Sequence, residues 1–531
     1  MLSKKFNTAL DSVKELTLRG HFTDAHKALD KLLKKDPTSK NLLNSKAHIF
    51  IAQGFFNESI KISNKCLIFY PENLEAFYNL GIAYSQTNQK NLAIDSFNNC
   101  IKIDRNFIDA YINLAKIYLQ TYDIKNSISV LNYLKKINPA LEICHQLLAQ
   151  SYRLINDYHN QKKSLQSCIE INPQNANNYI YLAFIEAWQN NTDAAKELLQ
   201  KALTINPSNT FAIFNLMEID KKSQYYFNID LLNQININYH LNNNDLIYYH
   251  LSVSKYYENK DDEQFIQSLL EANKIKKYSI NYNSDYFNNF KEKVFQIFES
   301  IHKNSPLDNH YQPIFIIGLP RSGSSLVEQI LLNMPTIKTC GEVELLNYEF
   351  SEKLDEINMN ILLKISEKYL HHISSITQSE IFIDKLPLNL FWIGFIKLAF
   401  PKAKFIYTYR NKFDNCFSIL KTFFGDASLP FSYSVTDINA FYRLHLDFIE
   451  SWLELFNKDI FQLNFDNLVE NPTTEVNKLL QFLNLEYDES ILNLKNNGAF
   501  IQTASFIQAR NKITKLSHYD KYHKFFPEFL D

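Results

Sequence analysis

The chain has 531 residues, 46% hydrophobic and 21% charged, with a formal net charge of -2. That length is too great for one ordinary core, and the composition belongs to a folded protein and not a disordered one. A near-neutral balance excludes a global field for nucleic acid or an anionic membrane, so any anion site has to be local.

The N-terminal half repeats. Pro37, Pro71, Pro139, Pro173 and Pro207 fall on one 34-residue grid, with Arg105 at the missing point. Small residues sit twelve positions upstream at Ala25, Ser59, Ala93, Ser127 and Ala195, with Gln161 the exception, and Tyr84, Tyr118 and Tyr152 recur on the same spacing. The physical reading is two antiparallel helices per unit: small residues let them approach, aromatics fill the gaps, and proline stops the second helix. One unit cannot bury its apolar face alone, so units stack into a solenoid. Cys66, Cys100 and Cys168 occupy one repeat position, where a small buried side chain is wanted; six cysteines in all make no disulfide scaffold. A reduced, cytoplasmic setting is the expectation. The opening MLSKKFNTALDSVKEL lacks the apolar run of a secretion signal, and no stretch reads as a membrane span. This half resembles the tetratricopeptide family, which implies a groove for a protein or peptide partner. Residues 1–210 are assigned to the solenoid and 211–305 to a degenerate repeat and helical cap or linker.

From residue 306 the grammar changes. Strand-length apolar runs appear at PIFIIG (313–318), TIKTC (336–340), IFID (381–384), KFIYTY (404–409) and IFQLNF (460–465), separated by helical segments. The chain is therefore expected to be multidomain, an all-α solenoid followed by an α/β domain with a largely parallel sheet. Ligands of such sheets bind at the carboxyl ends of the strands, so the residues just after each run are the candidates.

The first run leads into Gly318-Leu319-Pro320-Arg321-Ser322-Gly323-Ser324-Ser325 and then an amphipathic helix. Glycines permit the sharp turn, and backbone amides at a helix start favour an anion. The spacing is that of a Walker A loop, but Ser324 stands where that motif has lysine. IFID ends in Asp384, yet Lys385 follows directly, so no convincing magnesium-holding aspartate is found. A cradle without lysine or metal suits a donor that is not a triphosphate. Further on, KFIYTY ends at Arg410, whose guanidinium can give forked hydrogen bonds to a phosphate, and Ser418 lies eight residues beyond. Glu342 follows the second run and falls on the same sheet edge, with Glu344 nearby.

PRSGSS and its surroundings resemble the 5′-phosphosulfate loop of sulfotransferases, and look most like the tyrosylprotein and bacterial repeat-containing branch, over about residues 311–525. The resemblance implies a sulfotransferase-like P-loop fold that binds 3′-phosphoadenosine 5′-phosphosulfate without metal and releases adenosine 3′,5′-bisphosphate. It implies that Arg321, Ser322, Gly323, Ser324 and Ser325 hold the 5′ group and that Arg410 and Ser418 hold the 3′-phosphate. Glu342, in CGE, would be the general base, and Lys385 with Arg321 would stabilise the transferred and leaving groups. Asp384 would position the lysine. Ser505 and His518 match the closing segment that contacts the donor, although relatives usually carry Lys or Arg where His518 stands; Arg510 or Lys515 could substitute. Phe465 replaces a usual tyrosine. The alternatives are a phosphate-loop kinase or nucleotidase, and a repeat-based binding protein with a degenerate enzyme domain. The acceptor, a protein, sugar or lipid hydroxyl, is not readable.

Overall fold

A computed structural model describes residues 12–13, 15–220, 229–238, 241–280, 282, 287, 289–303, 305–424, 429–486, 489–492 and 519–530. By packing, the chain divides into two compact units, 1–171 and 172–531, a division that falls inside the repeat array.

In the first unit, helices of 13 residues alternate with helices of 14: Lys40–Ala52 with Phe56–Phe69, Leu74–Gln86 with Lys90–Ile103, Ile108–Gln120 with Ile124–Ile137, and Glu142–Leu154 with Tyr158–Ile171. The grid prolines stand just past the second helices, in the turns. The small positions Ala25, Ser59, Ala93 and Ser127 are fully buried, and Gln161 is nearly so. Tyr84, Tyr118 and Tyr152 pack against these cores half-buried. One periodic device escaped the sequence reading. The turn inside each repeat needs a left-handed residue, found at Gly20, Gly54, Asn88, Tyr122, Asn156 and, in the second unit, Asn190, again every 34 residues. Glycine and asparagine tolerate that conformation best. Tyr122 is the departure.

The second unit begins with the repeat Ala176–Trp188 and Thr192–Ile205, continues through Thr210–Ile219, Ile229–Asn238, Asn243–Tyr257, Asp262–Ser279 and Phe290–Ile301, and then enters the sheet. The sheet has β1 (Gln312–Gly318), β2 (Lys338–Thr339), β3 (Ile381–Asp384), β4 (Lys404–Tyr409) and β5 (Ile460–Asn464). Their order is β2-β3-β1-β4-β5, and every pairing is parallel. Alternate residues serve opposite faces. Ile314, Ile316, Ile383, Ile406 and Leu463 meet Val327, Ile330 and Leu331 of the helix Ser324–Leu331, and Val476, Leu479 and Leu480 of Pro472–Leu483. On the other face Phe315 stacks with Phe405 and Tyr369, and Phe382 packs tilted against Tyr369. Both faces are covered, as an all-parallel sheet requires.

The helices before the sheet pack directly on the α/β layer. Phe290 contacts Phe391, Trp392 and Phe448; Phe298 contacts Trp452; and Asn273 donates to the carbonyl of Leu420 at 3.0 Å. Among the described residues no helix is long and apolar enough to cross a membrane.

Candidate active site

All five strands run the same way, so their carboxyl ends share one edge. The candidate residues follow those ends: the loop 319–323 after β1, Glu342 after β2, Lys385 after β3, Arg410 after β4 and Phe465 after β5.

The loop is shaped by positive φ angles at Gly318 (142°), Arg321 (66°) and Gly323 (104°). At Gly323 a Cβ would stand 2.1 Å from the Phe465 ring, so the aromatic closes directly on the loop's backbone. Only glycine allows this approach at such a φ. Gly323 is also the residue before the helix Ser324–Leu331; Leu326 and Val327 already bond back to its carbonyl, so the amides of Ser324 and Ser325 stand at the helix's positive end. Within the loop Ser322 Oγ donates to Leu319 O at 2.7 Å, and two bonds tie the loop to its neighbours: Ser322 Oγ lies 2.7 Å from Thr408 Oγ1, and Asn415 donates to Pro320 O at 2.9 Å. The Ser322 hydroxyl is therefore engaged inside the protein, and that residue's part is to hold the loop in shape.

Arg321 and Ser418 come together, the arginine's Nε donating to the serine hydroxyl at 3.1 Å. Burial pushes the Arg321 pKa down, with Tyr519 acting to raise it and the nearby positive charge of Arg410 lowering it further. The two positive charges repel each other, and an anion bound at the loop would relieve that repulsion. Arg410 is 8% exposed. Its Nη2 lies 3.2 Å from Asp414 Oδ2, a charge contact that misses hydrogen-bond geometry, and its Nε has no hydrogen-bond partner among the described residues. The guanidinium also lies over the Phe465 ring, 5.4 Å from its centre. Buried cationic N–H groups without partners are costly unless a ligand completes them. The loop turn, two arginines and the Ser418 hydroxyl thus fit an anionic group.

On the other side of β1 sits a second cluster. Lys385 is 1% exposed, and its Nζ donates to Glu342 Oε1. Glu328, from the helix after the loop, places Oε2 4.0 Å from the same Nζ, while its Oε1 accepts from the Thr339 hydroxyl. Burial works against the charge on Lys385, and Glu342 and Glu328 more than offset it, so its pKa is raised. Burial raises the Glu328 pKa, opposed by Lys385 and Thr339. Asp384 turns the other way: it accepts from Tyr369 Oη at 2.7 Å, and complete burial lifts its pKa to about 7. Strand alternation sends it to the opposite face from Lys385, so it does not touch the lysine it was expected to position.

Sequence reasoning missed Glu328, Asp414, Thr408 and Asn415. Glu328 had a signal, an acid between apolar residues in the run LVEQIL. The others act through tertiary contacts that no local pattern carries. Ser505 and His518, with Arg510 and Lys515, lie outside the described residues. The described chain resumes at Tyr519, whose amide donates to Asp414 Oδ1 at 3.2 Å.

With this geometry in hand, comparison with known proteins is informative. The Sulfotransferase family profile matches residues 313–489, and the Tetratricopeptide repeat profile matches 74–107, 144–175 and 189–209. An uncharacterized protein of Aquifex aeolicus is 27% identical over 297 residues, covering 50% of this chain and 38% of that protein. Protein-tyrosine sulfotransferase A of Caenorhabditis elegans is 26% identical over 200 residues, covering 34% of this chain and 52% of that one. Among solved structures, a tetratricopeptide repeat protein from Parabacteroides merdae is 14% identical, with a TM-score of 0.35, over 51% of this chain and 98% of that one. The chain thus joins segments that match the tetratricopeptide repeat model to a domain, residues 313–489, that matches the sulfotransferase family model.

Proposed function

We propose that the α/β domain transfers a sulfuryl group from 3′-phosphoadenosine 5′-phosphosulfate to an acceptor hydroxyl. The observation that carries this reading is the placement of two arginines at the glycine loop, Arg321 bonded to Ser418 and Arg410 8% exposed with part of its guanidinium without a hydrogen-bond partner among the described residues. On this reading the amides of Ser324 and Ser325 and the Arg321 guanidinium hold the 5′-phosphosulfate end, with Gly323 and Ser322 shaping the loop. Arg410 and Ser418 hold the 3′-phosphate, and Ser505 and His518 belong to the segment that completes the donor site.

The acceptor hydroxyl gives its proton to the Glu342 carboxylate while its oxygen forms a bond to sulfur. The bond from sulfur to the 5′-phosphate oxygen breaks, its electron pair staying on the phosphate. The products are a sulfate ester and adenosine 3′,5′-bisphosphate. Charge grows on the leaving phosphate, and Lys385 and Arg321 neutralise it. Preorganised donors of this kind are typically worth ~10²–10³ in rate. We also assign the repeats the task of presenting the acceptor as part of a protein or peptide, as grooved solenoids are suited to do.

Calorimetry with adenosine 3′,5′-bisphosphate, with and without Mg²⁺, tests the donor class. Tight binding independent of the metal is expected. A nucleoside triphosphate that binds only with Mg²⁺, and no affinity for the bisphosphate, would turn the assignment toward a phosphate-loop kinase. In a labelled-donor transfer assay Glu342→Gln should lose ~10²–10⁴-fold in kcat with donor affinity little changed.

A further inference from the structure

Glu328 is an odd residue to find where it is. It lies one turn into the helix that follows the anion loop, 5% exposed, where a second negative charge would repel the donor unless a cation answered it. The cation is Lys385, but the nearer partner of that lysine is Glu342, from the loop after β2. Three charged groups, two acids and one base, therefore meet here, Lys385 and Glu328 buried and Glu342 on the exposed side. Of the remaining titratable neighbours, Asp384 is bonded to Tyr369 on the other face and pulls on Lys385 less than Glu342 and Glu328 do, and burial keeps the Cys340 thiol protonated.

This arrangement matters because the Glu342 contact cannot survive the reaction as proposed above, on which this inference rests. Once Glu342 carries the acceptor's proton it is a neutral acid, and its pull on Lys385 falls away. A lysine that is 1% exposed and has no remaining counter-charge tends to lose its proton, since burial disfavours the ammonium form. That loss would come as the leaving phosphate needs the positive charge. We propose that Glu328 is a positioning residue, which holds Lys385 charged and in place when Glu342 takes up the acceptor proton and lets the lysine go. The Thr339 hydroxyl, bonded to the far oxygen of Glu328, aims the carboxylate at the lysine.

Glu342→Gln is an isosteric mimic of the protonated base, and it lets the idea be tested without turnover. The reading is the pH dependence of Lys385 acylation by acetic anhydride, followed by peptide mass spectrometry on the full chain. In Glu342→Gln the midpoint for Lys385 should stay near or above the ordinary lysine range, ~10. In Glu342→Gln/Glu328→Gln it should fall by about one pH unit or more. Equal midpoints in the single and double variants would overturn the proposal. Should the double variant fail to fold, the single one still decides: a Lys385 midpoint below ~8 means that Glu328 does not hold the charge. In turnover, Glu328→Gln alone should move the alkaline limb of the kcat profile to lower pH while donor KM changes less than about threefold, and a purely structural role would leave that limb where it is. Because the acylation arms need no sulfuryl transfer, they stand or fall separately from the donor assignment.

Discussion

Replacing Arg410 separates a donor site from a structural ion pair. Two of its N–H groups, at Nε and Nη2, lack hydrogen-bond partners among the described residues, and its environment is buried. If a 3′-phosphate completes them, Arg410→Ala removes two charge-assisted bonds. At ~1.5–3 kcal/mol each, less some compensation from water, the loss is roughly 2–4 kcal/mol, or about 30- to 1,000-fold in Kd. The same change also strips the counter-charge from Asp414, whose side chain is 3% exposed. An orphaned buried carboxylate costs about 3–5 kcal/mol of stability, so the single variant could lose binding merely by loosening. Arg410→Ala/Asp414→Asn removes that ambiguity, because the amide keeps the shape without the charge. Calorimetry with adenosine 3′,5′-bisphosphate, beside a thermal melt, should show the double variant regaining stability but not affinity. Adenosine 5′-phosphate, which has no 3′ group, should bind wild type and variant alike. A double variant that melts like wild type and binds the bisphosphate as tightly would refute the reasoning.

At Gly323, alanine meets both an unfavourable φ and the Phe465 ring, so Gly323→Ala should lower Tm and abolish donor binding; Gly323→Ala/Phe465→Ala should recover the part due to the collision and not the ~1–2 kcal/mol due to φ. Glu258 is held by Lys421 and Lys255, which outweigh burial and depress its pKa to about 2. A depressed acid stabilises the fold above its unfolded pKa and ceases to do so as pH falls through the folded value, here from about 5 to about 2; the contribution is roughly 3 kcal/mol. The Tm gap between wild type and Glu258→Gln should therefore close across that window, and a constant gap would speak against it. Residues 300–531 expressed alone lose Phe290, Phe298, Asn273 and Glu258 and with them the contacts those residues make on the α/β layer, so this piece should melt broadly and bind a hydrophobic dye while residues 172–531 melt cooperatively.

The repeats were legible because their physics is periodic. A proline that ends a helix and a small residue at a helix crossing recur at fixed spacing whatever else varies, and Ala25, Ser59, Ala93 and Ser127 are buried as that logic requires. The left-handed turn residue was equally periodic but harder to see, because Gly54, Asn88 and Tyr122 look unalike while meeting the same backbone demand. In the sheet, IFID and KFIYTY gave their strands to the residue. TIKTC did not, since only Lys338 and Thr339 pair with β3; an edge strand has one neighbour, and its ends are free to leave the ladder. Asp384 shows where local reading fails. Adjacency to Lys385 in sequence suggested partnership, yet in a strand adjacent residues face opposite ways.

The strand order explains why the candidate site has two parts. β2 and β3 lie on one side of β1, and β4 and β5 on the other. Glu342 and Lys385 follow the first pair, with Glu328 reaching across from the helix after β1. Arg410, Ser418 and Phe465 follow the second pair. The central loop meets the second group directly, and the helix that follows it supplies Glu328 to the first. On the proposed chemistry this divides the labour: the β4–β5 side grips phosphate with fixed charge, and the β2–β3 side moves a proton. The two tasks need opposite electrostatics, since a base beside two arginines would be a poor proton acceptor. Placing β1 between them, with a loop that carries no lysine of its own, keeps the negative cluster apart from the positive one. The missing Walker lysine is then no defect, because its charge is supplied from β3 and β4.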